Sequence, residues 1–305
     1  MNVYLHHYPA SLFSEKVRLL LGHLGVPWKS VEIPNIMPRP LLMPLSGGYR
    51  KTPCLQIGAN VYCDTAVIAR GLVRHTKDTG LFEHGFVAHR VAEWADTQLF
   101  RITVALNFAP EAVGAMLADL SPEQIGAFAK DRAALTGGEP IQGIPAAAAR
   151  AYLLGYLHEL EASLTEPFLL GTSPGIADFS LYHCLWFLDN NAVNAPLLDR
   201  FARVRGWMAR MAAIGHGSFE SASGEQALAE AKSVEPVAPE VDTRLPEGFA
   251  LGESVRVTPI DYGKIPVEGT LVACSEDEIV LERTAPEVGR VMTHFPSPGF
   301  EISRI

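Results

Sequence analysis

Residues 51–69 read KTPCLQIGANVYCDTAVIA. CLQI and VYC are short apolar runs separated by GAN, a glycine-containing turn, and together they predict a β-hairpin. A helix signal, DTAVIARGLVRHT, follows at once and opens at Asp64 or Thr65. Upstream, NVYLHHY alternates apolar and polar residues as a half-buried strand does. Pro9 breaks that run, and SEKVRLLLGHLG then sets Val17, Leu20, Leu21 and Leu24 at helical spacing, with Gly25 as the stop. PWKSVEIP predicts a second strand. The proline-rich NIMPRPLLMPLSGGY predicts an irregular loop. The first eighty residues therefore run strand, helix, strand, loop, strand, strand, helix.

Residues 84–213 carry only helix signals, among them HRVAEWADTQLFRITVALNF, AAAARAYLLGYLHELEASL and ADFSLYHCLWFLD. Val91, Trp94, Leu99 and Ile102 fit one broad apolar stripe. Residues 214–245 lose large apolar side chains, hold one short helical run and gain Pro236 and Pro239, which predicts a short helix and a linker. ESVRVTP, VEGTLVAC, EIVLER, GRVMTHF and FEISRI then predict five short strands in a small all-β, SH3-like barrel. The expected division is 1–80 for the α/β module, 84–232 for an all-helical domain, 233–245 for the linker and 246–305 for the barrel.

The 305 residues are 48% hydrophobic and 19% charged, enough apolar material for more than one core. A net charge of -9 disfavours nonspecific binding to nucleic acid or an anionic membrane. There is no apolar run long enough to span a bilayer and no signal-peptide pattern in MNVYLHHYPAS, so a cytoplasmic protein is expected. Cys54, Cys63, Cys184 and Cys274 make no CxxC pair or zinc-type ladder and read as buried, reduced thiols, with no metal. His6 and His7 are strand neighbours pointing to opposite faces, so they cannot chelate together. The absence of HExxH, P-loop and GxGxxG patterns leaves zinc protease and nucleotide chemistries unsupported, and the one GxSxG match, GTSPG at 171–175, is too short a pattern to support a serine hydrolase by itself. No cysteine stands at the first strand-to-helix turn, which disfavours disulfide exchange.

Four segments, in order over residues 1–213, resemble the soluble glutathione transferases. YPASLFSEKVRLLL resembles the turn at which a Tyr, Ser or Cys meets the glutathione sulfur. KTPCLQI resembles the segment with a cis proline, here Pro53. CDTAVIA resembles the acidic-plus-hydroxyl pair opening a helix, here Asp64-Thr65, and GIADFSL the start of a buried helix in the second domain. Leu12 departs from the family's frequent proline after the catalytic Ser or Cys. Gly175 departs from its Ser or Thr helix cap, at a cost of only about a few tenths of a kcal/mol. The tail lies outside the resemblance.

The resemblance implies a thioredoxin-like domain plus an all-helical domain, glutathione as cosubstrate, a small electrophile as second substrate, and a homodimer. It makes Ser11 the catalytic hydroxyl; read alone, Ser11 is a helix N-cap. A cis Pro53 would free the Thr52 N–H and C=O to pair with an extended peptide. The N–H groups opening the next helix and the Thr65 hydroxyl would take the γ-glutamyl carboxylate, and Asp64 the ammonium group. Arg50 or Lys51 would face the glycyl carboxylate. Trp94, Phe100 and Arg101 are the candidates for the second-substrate wall, although the first two read equally as core. The alternative is a noncatalytic glutathione-binding or interaction protein that keeps the fold. The energetics limit Ser11: lowering a thiol pKa from about 8.5 by about two units raises the thiolate roughly 25-fold but cuts its nucleophilicity about eightfold. The net gain is about threefold, so orientation of the second substrate must supply most of any acceleration.

Overall fold

The computed structural model describes residues 1–139, 143–239 and 243–305. Strands β1 (Val3–His7) and β2 (Trp28–Glu32) flank helix α1 (Leu12–His23). A short helix, α2 (Met43–Ser46), interrupts the proline-rich loop. Proline sits in its first turn, where no N–H is missed, and Gly47 ends it at φ 71°. Two such end signals make a helical turn of a segment whose proline content argues for irregular chain. The expected hairpin is β3 (Cys54–Ile57) and β4 (Asn60–Cys63), and α3 (Thr65–Thr76) follows with Asp64 as its cap.

The helical section comprises α4 (Gly85–Trp94), α5 (Phe100–Asn107), α6 (Pro110–Met116), α7 (Pro122–Thr136), α8 (Ala146–Ser163), α9 (Ile176–Asp189) and α10 (Ala202–Ile214). One turn of π-helix, Ala95–Leu99, joins α4 to α5. Beyond α10 come β5 (Phe219–Ser221), α11 (Gly224–Ser233), and the tail strands β6 (Ser254–Pro259), β7 (Val267–Cys274), β8 (Glu278–Ala285), β9 (Gly289–Pro296) and β10 (Phe300–Arg304).

All the strands form one ten-stranded sheet, in the order β10-β6-β7-β8-β9-β4-β3-β1-β2-β5. The tail strands run antiparallel in an order compatible with an SH3-like barrel. They are also continuous with the first module, because β9 pairs in parallel with β4 through Asn60↔Met292, Val61↔Thr293 and Tyr62↔His294. At the opposite edge β5 adds in parallel to β2, where Phe219 stacks on Trp28 at 4.6 Å. The linker expected over 233–245 includes residues 240–242, which lie outside those described.

Alternation along the strands builds two cores. Val3, Leu5, Leu55 and Ile57 join α1, α3 and the helical domain on one face. Tyr4, Cys54, Val61 and Cys63 join α11 and the tail strands on the other. All four cysteines are free and buried. α9 is almost wholly buried, and its start is held without a hydroxyl cap. The Asp178 carboxylate accepts from the Gly175 and Leu169 N–H groups and from the Trp207 indole at 2.8–3.0 Å.

Candidate functional site

The Thr52–Pro53 peptide bond is cis. Thr52 is held from behind by Arg39, a buried residue whose guanidinium donates to Thr52 Oγ1 and to the Arg50 and Pro34 carbonyls, each at 2.8 Å. The Thr52 backbone N–H and C=O make no hydrogen bond to another described residue. Beside this turn, α3 opens. Asp64 caps it by accepting the Ala66 N–H at 2.9 Å, with φ 101°. A non-glycine residue there is uncommon and costs on the order of 1–3 kcal/mol, a strain that clusters at functional sites. Burial pushes the Asp64 carboxyl above its ordinary pKa, partly offset by the Ala66 N–H.

Below the start of α3 lies a buried charge cluster. Lys16, on α1 and 1% exposed, donates to Thr65 Oγ1 at 3.1 Å and to Asp96 at 2.6 Å. Asp96 lies in the π turn and also meets His183 Nε2 at 2.9 Å and the Ser180 hydroxyl at 3.2 Å, both from α9. Burial alone would raise the Asp96 pKa, but Lys16 and the His183 hydrogen bond hold it below the ordinary value. Burial depresses His183, more than Asp96 restores it. The extra residue of a π turn re-aims the side chains after it, and such turns often mark functional sites.

Thr52, Pro53, Asp64, Thr65, Lys16 and Asp96 all line one cleft of about 280 Å³. Of the other expected site residues, Lys51, Phe100 and Arg101 line it too. Arg101 is exposed at the rim and has no acidic partner among the described residues. Phe100 packs on Phe13 at 5.0 Å. Lys51 is paired with Asp261 at 2.5 Å, and its ammonium lies 4.2 Å from the Tyr262 ring centroid.

Three expected site residues stand elsewhere. Arg50 lies outside the lining, in an ion pair with Asp131 at 2.5 Å. Trp94 faces an apolar cavity of about 630 Å³ between α4, α8 and α9, edge-on to Tyr156 at 5.0 Å. Ser11 is 3% exposed and outside the lining, with its Oγ accepting the Ser14 N–H at 3.2 Å.

Several site residues carry no motif in the sequence: Lys16, Arg39, Asp96, His183 and the tail pair Asp261-Tyr262. The one available signal is spacing, since Ser180 and His183 are three residues apart and so share a face of α9. Among the described residues, no three His, Cys, Asp or Glu side chains group as a metal site, and no helix is long and apolar enough to cross a membrane.

Comparison with known proteins agrees with this architecture. Residues 5–78 match the profile of the glutathione S-transferase N-terminal domain, and residues 129–210 that of the C-terminal domain. A GST-like protein from Pseudomonas syringae, solved by crystallography, is 38% identical with a TM-score of 0.83, over 99% of this chain and 100% of its own. A glutathione S-transferase from Rhodospirillum rubrum F11 shares the fold at 16% identity and a TM-score of 0.51, over 69% of this chain and 88% of its own. So does the beta-etherase LigF from Sphingobium sp. strain SYK-6, at 16% and 0.51, over 70% of this chain and 96% of its own. A search of curated proteins by sequence found no match. The two domain profiles and the full-length likeness to the Pseudomonas protein together place the chain in the glutathione S-transferase family, whose members use glutathione as cosubstrate.

Proposed function

We propose that the chain is a glutathione-dependent transferase acting on a small electrophile. The observation that carries this reading is the convergence of two elements on one cleft: the turn at Thr52–Pro53, whose Thr52 N–H and C=O make no hydrogen bond to another described residue, and the strained start of α3 at Asp64-Thr65. The cysteinyl part of glutathione pairs with the Thr52 N–H and C=O as an added strand. The γ-glutamyl carboxylate sits at the N-terminus of α3, against the N–H groups and the Thr65 hydroxyl. Asp64 takes the ammonium group, and Lys51 exchanges Asp261 for the glycyl carboxylate. The sulfur lies towards the start of α1. The Ser11 hydroxyl donates a hydrogen bond to the thiolate sulfur while its oxygen lone pair keeps the Ser14 N–H. Phe100 and Arg101 face the electrophile.

In substitution, the thiolate attacks the electrophilic carbon, a C–S bond forms, and the leaving group departs with its electron pair. In isomerisation, the thiolate adds to an activated double bond, the adduct rotates, and elimination returns the thiolate. A homodimer and a cytoplasmic location belong to the same reading. Because β9 occupies the edge of β4, the dimer uses another surface, and light scattering at the mass of one chain would contradict it.

One observation favours the second reading, a noncatalytic glutathione-binding protein: Ser11 is buried and engaged as a cap. Calorimetry with glutathione and turnover of 1-chloro-2,4-dinitrobenzene separate the two. The transferase reading expects both binding and turnover, with Ser11→Ala reducing turnover. Binding without turnover across a panel of electrophiles selects the second, and no binding rejects both.

A further inference from the structure

The tail reaches the cleft through the turn between β6 and β7, which places three side-chain or backbone anchors on two other parts of the molecule. Asp261 pairs with Lys51 of the thioredoxin-like module, and the Tyr262 ring covers the same ammonium. The Gly263 N–H donates to the Leu135 carbonyl at the end of α7 at 2.8 Å. Gly263 has φ 62°, a conformation glycine adopts without penalty. Tyr262 lies near-parallel to Phe100 of α5, with ring centroids 6.3 Å apart and planes at 26°. Phe100 in turn packs on Phe13. Three aromatic rings, from three separate parts of the chain, therefore line the cleft beside Thr52 and Pro53.

We infer that Tyr262 is a specificity-determining residue: it completes an aromatic wall against which a planar aromatic electrophile lies while the thiol sulfur attacks. A wall of ring faces and edges, with Tyr262 and Phe100 near-parallel and Phe13 tilted by 56° to Phe100, favours a flat, electron-poor π-system that complements both. An aliphatic electrophile of the same volume gains only area burial there. The hydroxyl group adds little at a stacked wall, so the ring is the active feature. This makes the turn between β6 and β7, which lies outside the family resemblance, part of the cleft wall. It rests on the glutathione reading above, because the sulfur's position defines which side of the ring is used.

The test uses the full-length chain and two ligands measured by calorimetry: glutathione and its aryl conjugate, S-(2,4-dinitrophenyl)glutathione. The expected result is that the wild-type chain binds the conjugate about tenfold tighter than glutathione. Tyr262→Ala cuts that preference about five- to tenfold, and Tyr262→Phe keeps it within about threefold of wild type. The ratio of the two affinities is the readout because a loosened fold weakens both ligands alike and leaves the ratio unmoved. If the wild type binds glutathione and Tyr262→Ala leaves the ratio unchanged, the inference falls and the glutathione reading stands. If the wild type binds neither ligand, both fall together.

Discussion

Among the described residues, two of the buried clusters that seam this molecule are each built from one carboxylate, one cation and one histidine. At the first, between the thioredoxin-like module and the helical domain, Asp96 meets Lys16 at 2.6 Å and His183 at 2.9 Å. At the second, between the module and the tail, Glu278 takes both Arg74 Nη atoms at 2.7 and 2.9 Å and His294 at 2.7 Å. The differences are in geometry and exposure. The second cluster uses a planar, bidentate arginine and a carboxylate side chain only 2% exposed. The first uses a lysine, a point charge whose ammonium also holds the Thr65 hydroxyl, and an aspartate side chain 20% exposed that lines the cleft. The same three kinds of group thus make a closed joint in one place and an open, cleft-facing one in the other.

Four experiments break or sharpen that contrast. The largest effect is expected from Glu278→Ala, which strands Arg74 and His294 in a buried joint. A loss of about 3–5 kcal/mol in folding stability should appear as a lowered urea midpoint. The contrast breaks if the midpoint stays within error of wild type.

Lys16→Met should cost less in stability, because Asp96 keeps His183 and Ser180. Its signature is in binding, with glutathione affinity about tenfold weaker, worth about 1.4 kcal/mol, as the Thr65 hydroxyl loses its donor. Equal glutathione affinities in calorimetry would make the first cluster a mere joint like the second.

The pH dependence of binding comes next. Only ionised Asp64 attracts the ligand ammonium, and burial raises its pKa. Affinity should therefore be full at neutral pH and decline on acidification through that raised value, starting at a higher pH than an ordinary aspartate near 3.9 would allow. Asp64→Asn should bind more weakly and lose this acid limb, and a limb that survives in the variant assigns it to another group.

Ser11→Ala is the smallest. It removes the α1 cap, at about 1 kcal/mol, and changes kcat/KM about threefold. A loss of a hundredfold or more would show that the threefold account of thiol activation is too small.

Much of this architecture is legible in the sequence because it depends on local rules. The hairpin CLQI-GAN-VYC, the capped start of α3 and the apolar face of α1 each follow from residues within a few positions of one another. The stripe of Val91, Trp94, Leu99 and Ile102 does pack into the core. The π turn between its halves leaves only a faint trace, a step of five residues from Trp94 to Leu99 that a broad stripe on an unbroken α-helix also accommodates. It is settled by Asp96 reaching Lys16 and His183, residues about 80 positions away in either direction. Lys16 hides for a related reason: a lysine in an amphipathic helix reads as solvated until a carboxylate is brought to it across a domain boundary. β5 has three exposed residues and no apolar pattern, and it exists because the edge of β2 accepts it. Tyr262 lies in a turn whose neighbours are set by the joining of β9 to β4, a pairing across about 230 residues.

That long-range pairing has a consequence for how the protein is made. Until β9 leaves the ribosome, the flank of β4 is an unpaired row of backbone donors and acceptors, the kind of surface that recruits strands from other chains. At ordinary elongation rates the interval is roughly 10–50 s. A nascent chain in that window is open to edge pairing with other chains until β9 covers the flank. Any stop codon placed before Met292 would leave the flank open permanently.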